Sequence, residues 1–416
     1  MVRFWANGWI ETLYILPKYH FKYSGFEFIT VPGQWTCAVF ALAGISALLL
    51  AAGYKYRMSC LVFFLSFTFI ELLDKTNYLN HYYFVSIISF MLIWLPAHCT
   101  HSVDASRSPS IRAQYIKAWQ IDCLKLMVAI VYIYAGLAKL NADWLFRAMP
   151  LAIWLPSHAD LPLIGQWMHK SWMHYLFSWS GAIYDLSIVF FLLCRKTRVM
   201  AFMVVVIFHI LTRVLFPIGM FPYIMVSGAL VFFSTQFHTN ALNKIFNVLK
   251  LKTEHYTNGE VYTNRFWNTW GLKVIAGFLI FQLLFPFRQL LYKGNLFWNE
   301  RGYRFSWRVM LMEKTGNAHF KIVDGQSGDR FYVQNGDFLT ARQQKQMSTQ
   351  PDFILQYGQY LGQHFSNQGH QNVEVYVDSH VALNGRRSQP YIHADANLME
   401  LSYSELCNDY IHPFRE

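Results

Sequence analysis

Between Tyr132 and Trp144 the chain reads Tyr-Ile-Tyr-Ala-Gly-Leu-Ala-Lys-Leu-Asn-Ala-Asp-Trp, and its lysine is placed to do chemistry. Lys139 closes an apolar run that starts at Cys123 and holds no charge between Lys125 and Lys139. Three fates are open to it: snorkelling to headgroups, pairing with Asp143 one turn on, or sitting desolvated. Burial disfavours an ammonium, so a desolvated amine can act as a base near neutral pH. Glu71 and Asp74 end a second apolar run and are followed by Lys75, Asn77, Asn80 and His81. Ionisable groups at such depth face a cavity or a partner; an Asp74–Lys75 or Asp74–Lys139 pair that only fixes helix packing is the plainer reading. His209 and Arg213 are spaced i, i+4 just before Pro217 and Gly219. A charge inside an apolar helix calls for a buried partner or an anionic ligand, so the two point to a polar cavity, while His209 alone reads equally as a satisfied core histidine. His98 and His101 have the spacing of two metal ligands on a helix, but no carboxylate pattern accompanies them and no metal is expected.

Composition says what holds these residues. Of 416 residues, 54% are hydrophobic and 14% charged, against roughly 25% charged in soluble domains. Several apolar runs approach the ~20 residues of a crossing. The chain is therefore expected to be a polytopic α-helical membrane protein. The formal charge is +11, yet residues from Gly294 onward carry eleven Lys/Arg against thirteen Asp/Glu. The basic excess belongs to the membrane part and reports topology and contact with the lipid membrane rather than nucleic acid. Cys37, Cys60, Cys99, Cys123, Cys194 and Cys407 show no CxxC spacing or metal-ligand clustering, and small buried hydrophobes are the default. There is no cleavable signal pattern, and no Walker A loop, Gly-x-Ser-x-Gly elbow, HExxH or dinucleotide fingerprint. Nucleotide-driven pumping and ordinary hydrolysis lose support.

Residues 1–32 read as an interfacial segment, 33–293 as the membrane domain and 294–416 as a soluble α+β domain. About eight spans are expected: Trp35–Gly53, Met58–Leu73, Tyr83–Ala97, Cys123–Leu140, His174–Cys194, two halves of Val199–Ser234 broken at Pro217 and Gly219, and Leu272–Leu291. Residues 105–120 suggest a surface-lying helix opened by Pro109, and 145–172 an interfacial or re-entrant loop. Eight crossings put Lys55/Arg57, Arg107/Arg112/Lys117, Arg195/Lys196/Arg198 and Lys244/Lys250/Lys252 on one side, which the positive-inside rule makes cytoplasmic. Residues 74–82, Lys139, the Pro217 break and the C-terminal domain share the other. In that domain, His319–Val323 and Arg330–Val333 flank a hairpin turn, and Pro351–Phe365 spaces Ile354, Tyr357, Leu361 and Phe365 on one helical face. Val373, Val375 and Val377 alternate as a strand, and Asn384-Gly385 marks a turn.

Leu-Leu-Asp-Lys-Thr (72–76) with Asn80-His81-Tyr82, Ala-Gly-Leu-Ala-Lys-Leu-Asn-Ala-Asp-Trp (135–144), and Phe208-His209 followed by Phe-Pro-Ile-Gly-Met-Phe (216–221) resemble the vitamin K-dependent γ-glutamyl carboxylases. Gly302-Tyr303-Arg304-Phe305-Ser306-Trp307 with Met310 is similar to the start of their extramembrane domain and close to bacterial members with an HTTM-type membrane domain. The resemblance runs from about Glu11 to Pro413. It implies an integral membrane enzyme that oxidises vitamin K hydroquinone with O2 to the epoxide. That oxidation is coupled to CO2 addition at glutamate in a protein or peptide, with no metal. The C-terminal domain is expected on the non-cytoplasmic side, at the inner membrane if the source is prokaryotic. Lys139 matches the family's catalytic base and His209 a histidine at the quinone pocket. Arg213, Asp74, Asn80, His81 and His98 are expected around the cofactor, and Tyr303, Phe305, Ser306 and Trp307 at the glutamate substrate.

Two departures stand out. Cys99 falls where the vertebrate enzymes carry a functional histidine, with His98 adjacent, which bears on carboxylation more than on epoxidation. Family members usually have one more span before the segment similar to residues 1–30, so the chain is expected to begin just after it. Nothing matches the long C-terminal region of the vertebrate enzymes, which leaves propeptide recognition unsupported. An epoxidase without a peptide partner, and a transporter or lipid-binding module, are the alternatives. A transporter predicts a continuous polar track through the bilayer; an enzyme predicts a closed pocket opening towards residues 294–416.

Overall fold

The computed structural model describes residues 1–248, 250, 261–402 and 410–416. Lys252, in the expected basic set, and Cys407 lie outside the described residues. Five helical stretches are long and apolar enough to cross a membrane: Gly33–Ala52, Trp119–Lys139, Ser171–Leu193, Arg198–Leu215 and Arg265–Leu291. The other three expected crossings are also helical but shorter. In chain order the membrane helices are α1 (Thr36–Ala52), α2 (Tyr56–Leu72), α3 (Asn80–Trp94), α4 (Trp119–Lys139), α5 (Ser171–Leu193), α6 (Arg198–Leu215), α7 (Phe221–Ala229) and α8 (Arg265–Leu284). At 1.5 Å per residue, α3 and α7 fall short of the ~30 Å hydrocarbon core. Both begin at the end of the bundle that meets the soluble domain.

Local chemistry explains the boundaries. Gly53 ends α1 with φ +62, and a Cβ there would lie 2.4 Å from that of Ser102, so only glycine closes this turn. The break between α6 and α7 follows from Pro217 and from Gly219 at φ +63. Residues 105–120 do not form one helix. Val103–Arg107 is a single helical turn and Pro109–Ile111 a 3-10 turn, because a proline drives the preceding residue, here Ser108 at φ −128 and ψ 86, out of the α region. Cys60, Cys99 and Cys123 are buried, whereas Cys37 is half-buried and Cys194 exposed.

The helix ends sort into two layers. At one end, the Asp104 carboxylate accepts from the Lys55 and Tyr56 N–H groups, and Arg57 donates to the Tyr262 hydroxyl at 3.1 Å. At the other end, the loops after α2, α4 and α6 meet the C-terminal domain. That domain is a four-stranded antiparallel sheet, order β2-β1-β3-β4, from β1 (Lys314–Val323), β2 (Arg330–Tyr332), β3 (Glu374–Leu383) and β4 (Gln389–Pro390). The expected hairpin is present, its turn fixed by Asp324 accepting from the Gln326 and Ser327 N–H groups. Helices α9 (Ala341–Met347) and α10 (Pro351–Asn367) cover the sheet. Ile354, Tyr357 and Leu361 are fully buried with Phe320, Ile322 and Val375. Phe21, from the segment expected to lie at the interface, is also in this core, stacked on Phe353 at 4.4 Å.

A buried charge cluster clamps the two regions together. Asp352 at the start of α10 accepts from Lys75 Nζ and Arg304 Nη1, each at 2.8 Å. Burial works against the Asp352 carboxylate, but Arg304 and then Lys75 outweigh it and hold the carboxyl well below its usual range. A depressed folded-state pKa contributes stability that is complete above the unfolded value of about 3.9 and is lost as pH falls through the folded value. Thermal melts of the purified chain should therefore show no loss assignable to Asp352 from pH 7 down to about 5. An Asp352→Asn variant should remove the protective step below about pH 4, and equal acid profiles for the two proteins would count against the clamp.

Candidate active site at the outward end of α4

Lys139 sits on the last turn of α4, and its position depends on a glycine one turn earlier. A Cβ at Gly136 would lie 2.7 Å from Leu186 Cγ and 2.9 Å from the Leu186 backbone nitrogen. Glycine alone lets α4 and α5 approach closely enough for Lys139 to reach Asp185, the neighbour of Leu186. Lys139 Nζ donates to Asp185 Oδ2 at 2.6 Å and to the Ala135 carbonyl at 3.3 Å. Both residues are buried, at 7% and 5% exposure. The Trp144 ring lies over the amine, 5.3 Å away. Trp144 is held there by Asn141, whose side chain caps the next short helix by accepting from the Trp144 N–H, and by its own indole N–H donating to the Ser178 carbonyl at 2.8 Å.

Across a cavity from this pair is His209, on α6 and 1% exposed. Its Nε2 lies 3.0 Å from the Tyr132 hydroxyl, while its Nδ1 is buried with no partner among the described residues. The walls between are aromatic, from Phe177, Phe216 and Phe221, and Val309 and Met310 of the soluble region close the space. Met310, like Phe305 and Trp307 before it, adopts φ near +55, a conformation costly for non-glycine residues that clusters at functional sites. Chemically the cavity offers a buried, hydrogen-bonded amine–carboxylate pair, a histidine with one ring nitrogen unpartnered among the described residues, and flat apolar sides.

The comparisons with known proteins fall on both regions. Residues 1–237 match the HTTM domain, and residues 267–416 match the vitamin K-dependent gamma-carboxylase lumenal domain. The chain belongs to the vitamin K-dependent γ-glutamyl carboxylase family. It is an integral membrane protein whose domains indicate carboxylase-type function on glutamate-containing substrates. No solved structure matches it.

Within this carboxylase-family chain the expected site residues do not all converge. Lys139 and His209 line one cavity. Lys139 is neither snorkelling nor paired with Asp143 or Asp74. Asp74 is fully buried, and its oxygens are taken by Thr76, His20 and Gln343, so it is a hub between loops and does not line this cavity. Asn80 is likewise engaged, donating to the Arg308 carbonyl at 2.8 Å and accepting from the Tyr78 hydroxyl. Arg213 is exposed, not cavity-lining. His98 stacks on Tyr56 at 4.8 Å at the opposite end of the bundle, beside buried Cys99, so the departure at Cys99 does not touch the cavity. His81 lines a second cavity.

The Tyr303–Trp307 segment divides. Tyr303 packs against Phe297, Ser306 accepts from Arg288, and Phe305 lies among Tyr23, Tyr78 and Tyr83. Trp307, expected at the substrate, is 1% exposed and stacked on Tyr83 at 5.1 Å inside the helical core. The two residues that sequence reasoning passed over are Asp185 and Tyr132. Asp185 is an ionisable group in the middle of an apolar crossing, the signal that marks functional positions in membranes.

Asp143 has a different role from the one expected. It accepts from Arg386 at 2.8 and 2.5 Å and from Asn384 at 2.7 Å, tying the loop that carries Trp144 to the turn after β3. Burial works against the Asp143 carboxylate, but the hydrogen bonds from Arg386 and Asn384 outweigh it and hold the carboxyl below its usual range. Charged hydrogen bonds contribute about 1.5–3 kcal/mol. Arg386→Ala should lower unfolding stability by about that much, and Arg387→Ala, at the exposed next position, by less than about 0.5 kcal/mol. Equal melts for the two variants would remove the strap.

Proposed function

We propose that the chain oxidises vitamin K hydroquinone, or a related quinol, with O2 to the epoxide and couples this to carboxylation of glutamate in a protein substrate by CO2. The observation that carries the reading is that the buried Lys139–Asp185 pair and His209, whose Nδ1 has no partner among the described residues, line one aromatic-walled cavity. The residues fit a flat ring with an oxygen at each end. Lys139 is placed to receive a hydroxyl proton at Nζ, with Asp185 able to hold a proton so that the amine is free to accept one. General bases of this kind contribute about 10²–10⁴-fold. His209, oriented by Tyr132, meets the opposite oxygen through Nδ1. Trp144, Phe216 and Phe221 would flank the ring, and Met310 would help keep water from it, as strongly basic chemistry requires. The bound quinol, with O2, supplies the oxidation whose energy drives removal of the glutamate γ-proton.

The cavity is bordered by membrane helices on one side and by the soluble region on the other, which suits a lipid-soluble cofactor meeting a peptide. The charge pattern and the lumenal-domain match support a non-cytoplasmic position for residues 294–416. The test is purified protein given reduced vitamin K, O2, labelled CO2 and a glutamate peptide. Epoxide and label in the peptide are expected together. Epoxide without label would leave the epoxidase alone, and neither product would overturn the proposal.

A further inference from the structure

At the end of the bundle opposite the soluble domain, a cavity of about 360 Å³ lies among the start of α2, the loop after α3, residues 110–113 and residues 261–264, which lead into α8. Backbone bonds set its walls. The Tyr262 N–H donates to the Tyr115 carbonyl at 2.9 Å, which ties the approach to α8 onto the segment before α4. The Tyr262 carbonyl in turn accepts from the Asn268 side chain at 3.0 Å. Arg57, His98, Ser110, Arg112, Thr263 and Trp267 all line the space, and among the described residues no aspartate or glutamate does.

Two groups on this lining lack the partner their chemistry asks for. Arg57 is half-buried. It donates to the Ile93 carbonyl and to the Tyr262 hydroxyl, and its guanidinium carbon lies 3.5 Å from the centre of the Trp267 ring. Those neighbours are all neutral, and they leave most of the five guanidinium N–H groups unused. Among the described residues no carboxylate pairs with Arg57, although a guanidinium drawn partly out of water at a membrane edge calls for an anion. His98 stacks on Tyr56, and its Nδ1 is buried with no partner among the described residues, whereas buried polar atoms are almost always bonded. The Asp104 carboxylate, which acts on His98, is already engaged by the Lys55 and Tyr56 N–H groups.

The donors select the ligand class. Guanidinium groups from Arg57 and Arg112, with the Ser110 and Thr263 hydroxyls and no acid in the lining, suit a phosphate. Size and place favour a lipid as its source. The cavity falls in the range of roughly 300–1,000 Å³ that holds organic ligands, more than one ion fills. It lies where α2 and α8 begin and α3 ends, the depth of the headgroups on the side that the basic residues make cytoplasmic, where basic pockets between membrane helices take anionic headgroups.

We propose that this cavity binds a phosphate group, held by Arg57 with Arg112 and His98 beside it, and that an anionic phospholipid of the leaflet on that side supplies it. Free phosphate shares the same chemistry. A headgroup seated here joins the ends of α2, α3 and α8 at the opposite end of the bundle from Lys139, and the inference does not depend on the function proposed above.

The test is equilibrium binding and thermal melting of the full chain in neutral detergent. The probes are dihexanoyl phosphatidylglycerol, its phosphate-free twin dihexanoylglycerol, and sodium phosphate. The proteins are wild type, Arg57→Gln, His98→Phe and Arg107→Gln. Phenylalanine keeps a ring on Tyr56 and removes the nitrogens, so His98→Phe reads the site even if Arg57→Gln fails to fold. Arg107 is exposed and lies over Tyr54, outside the cavity lining, so its variant reads diffuse charge alone. Phosphatidylglycerol should bind about tenfold or more tighter than its twin and raise the wild-type melting temperature. Arg57→Gln should weaken that binding about tenfold or more and His98→Phe about threefold or more, with Arg107→Gln within about twofold of wild type. Sodium phosphate binding that is lost in the first two variants, with phosphatidylglycerol no tighter than phosphate, keeps the phosphate site and names the free ion. Equal binding of the two lipids without phosphate binding, affinities unchanged in Arg57→Gln and His98→Phe, or an equal loss in Arg107→Gln would overturn the site.

Discussion

Lys139→Ala should reduce quinol oxidation by about 10²–10⁴-fold, the range for losing a positioned general base, while the protein still elutes as a folded species. The expectation follows from place as much as from residue type. The amine is 7% exposed, faces a cavity rather than lipid headgroups, and has an aromatic ring over it. Among the described residues no other lysine lines that cavity, so none of them can substitute. The loss should fall on turnover, with quinol affinity less affected, since Phe177, Phe216, Phe221 and His209 remain to hold the ring. Turnover within threefold of wild type would assign the proton transfer elsewhere.

The second large effect is on stability and falls on Asp185. Its pair with Lys139 is buried on both sides, at 8% side-chain exposure each. Removing one partner of such a pair strands the other charge and costs about 3–5 kcal/mol, whereas replacing both by apolar groups of similar volume is often neutral or stabilising. Asp185→Leu should therefore melt well below wild type. Lys139→Met combined with Asp185→Leu should recover most of that loss and remain inactive. A protein kept for stability alone would have no need of the ionic version of this contact. If the single and double variants melt alike, the pair is not what joins α4 to α5, and Gly136 packing on Leu186 carries that contact by itself.

Much of the scaffold was legible because it follows from periodicity and punctuation. The helix positions, the break at Pro217, the hairpin around Asp324 and the α10 face of Ile354, Tyr357 and Leu361 all come from local rules. Lys139 and His209 were readable as polar residues in apolar runs, and the family resemblance gave them roles. The partner of Lys139 was not readable from spacing: Asp143 is the neighbour along the chain, but α4 ends before it, and the side chain that meets the amine comes from an antiparallel helix brought close by Gly136. Arg213 lies outside the cavity lining for the opposite reason. Sequence places it on the His209 face, but the helix ends two residues later and lets it leave the cavity. Trp307, expected at the glutamate substrate, is driven by its area into the helical core, where it stacks on Tyr83.

The most direct measurement is quinol turnover by Lys139→Arg. Arginine keeps a cation opposite Asp185 but does not give up its proton in proteins, so it preserves the ionic contact and removes the base. Turnover at the level of Lys139→Ala, in a protein that melts near wild type, is the predicted result. Turnover approaching wild type would show that only a positive charge is needed beside Asp185, and the proposal that Lys139 accepts a proton would be wrong.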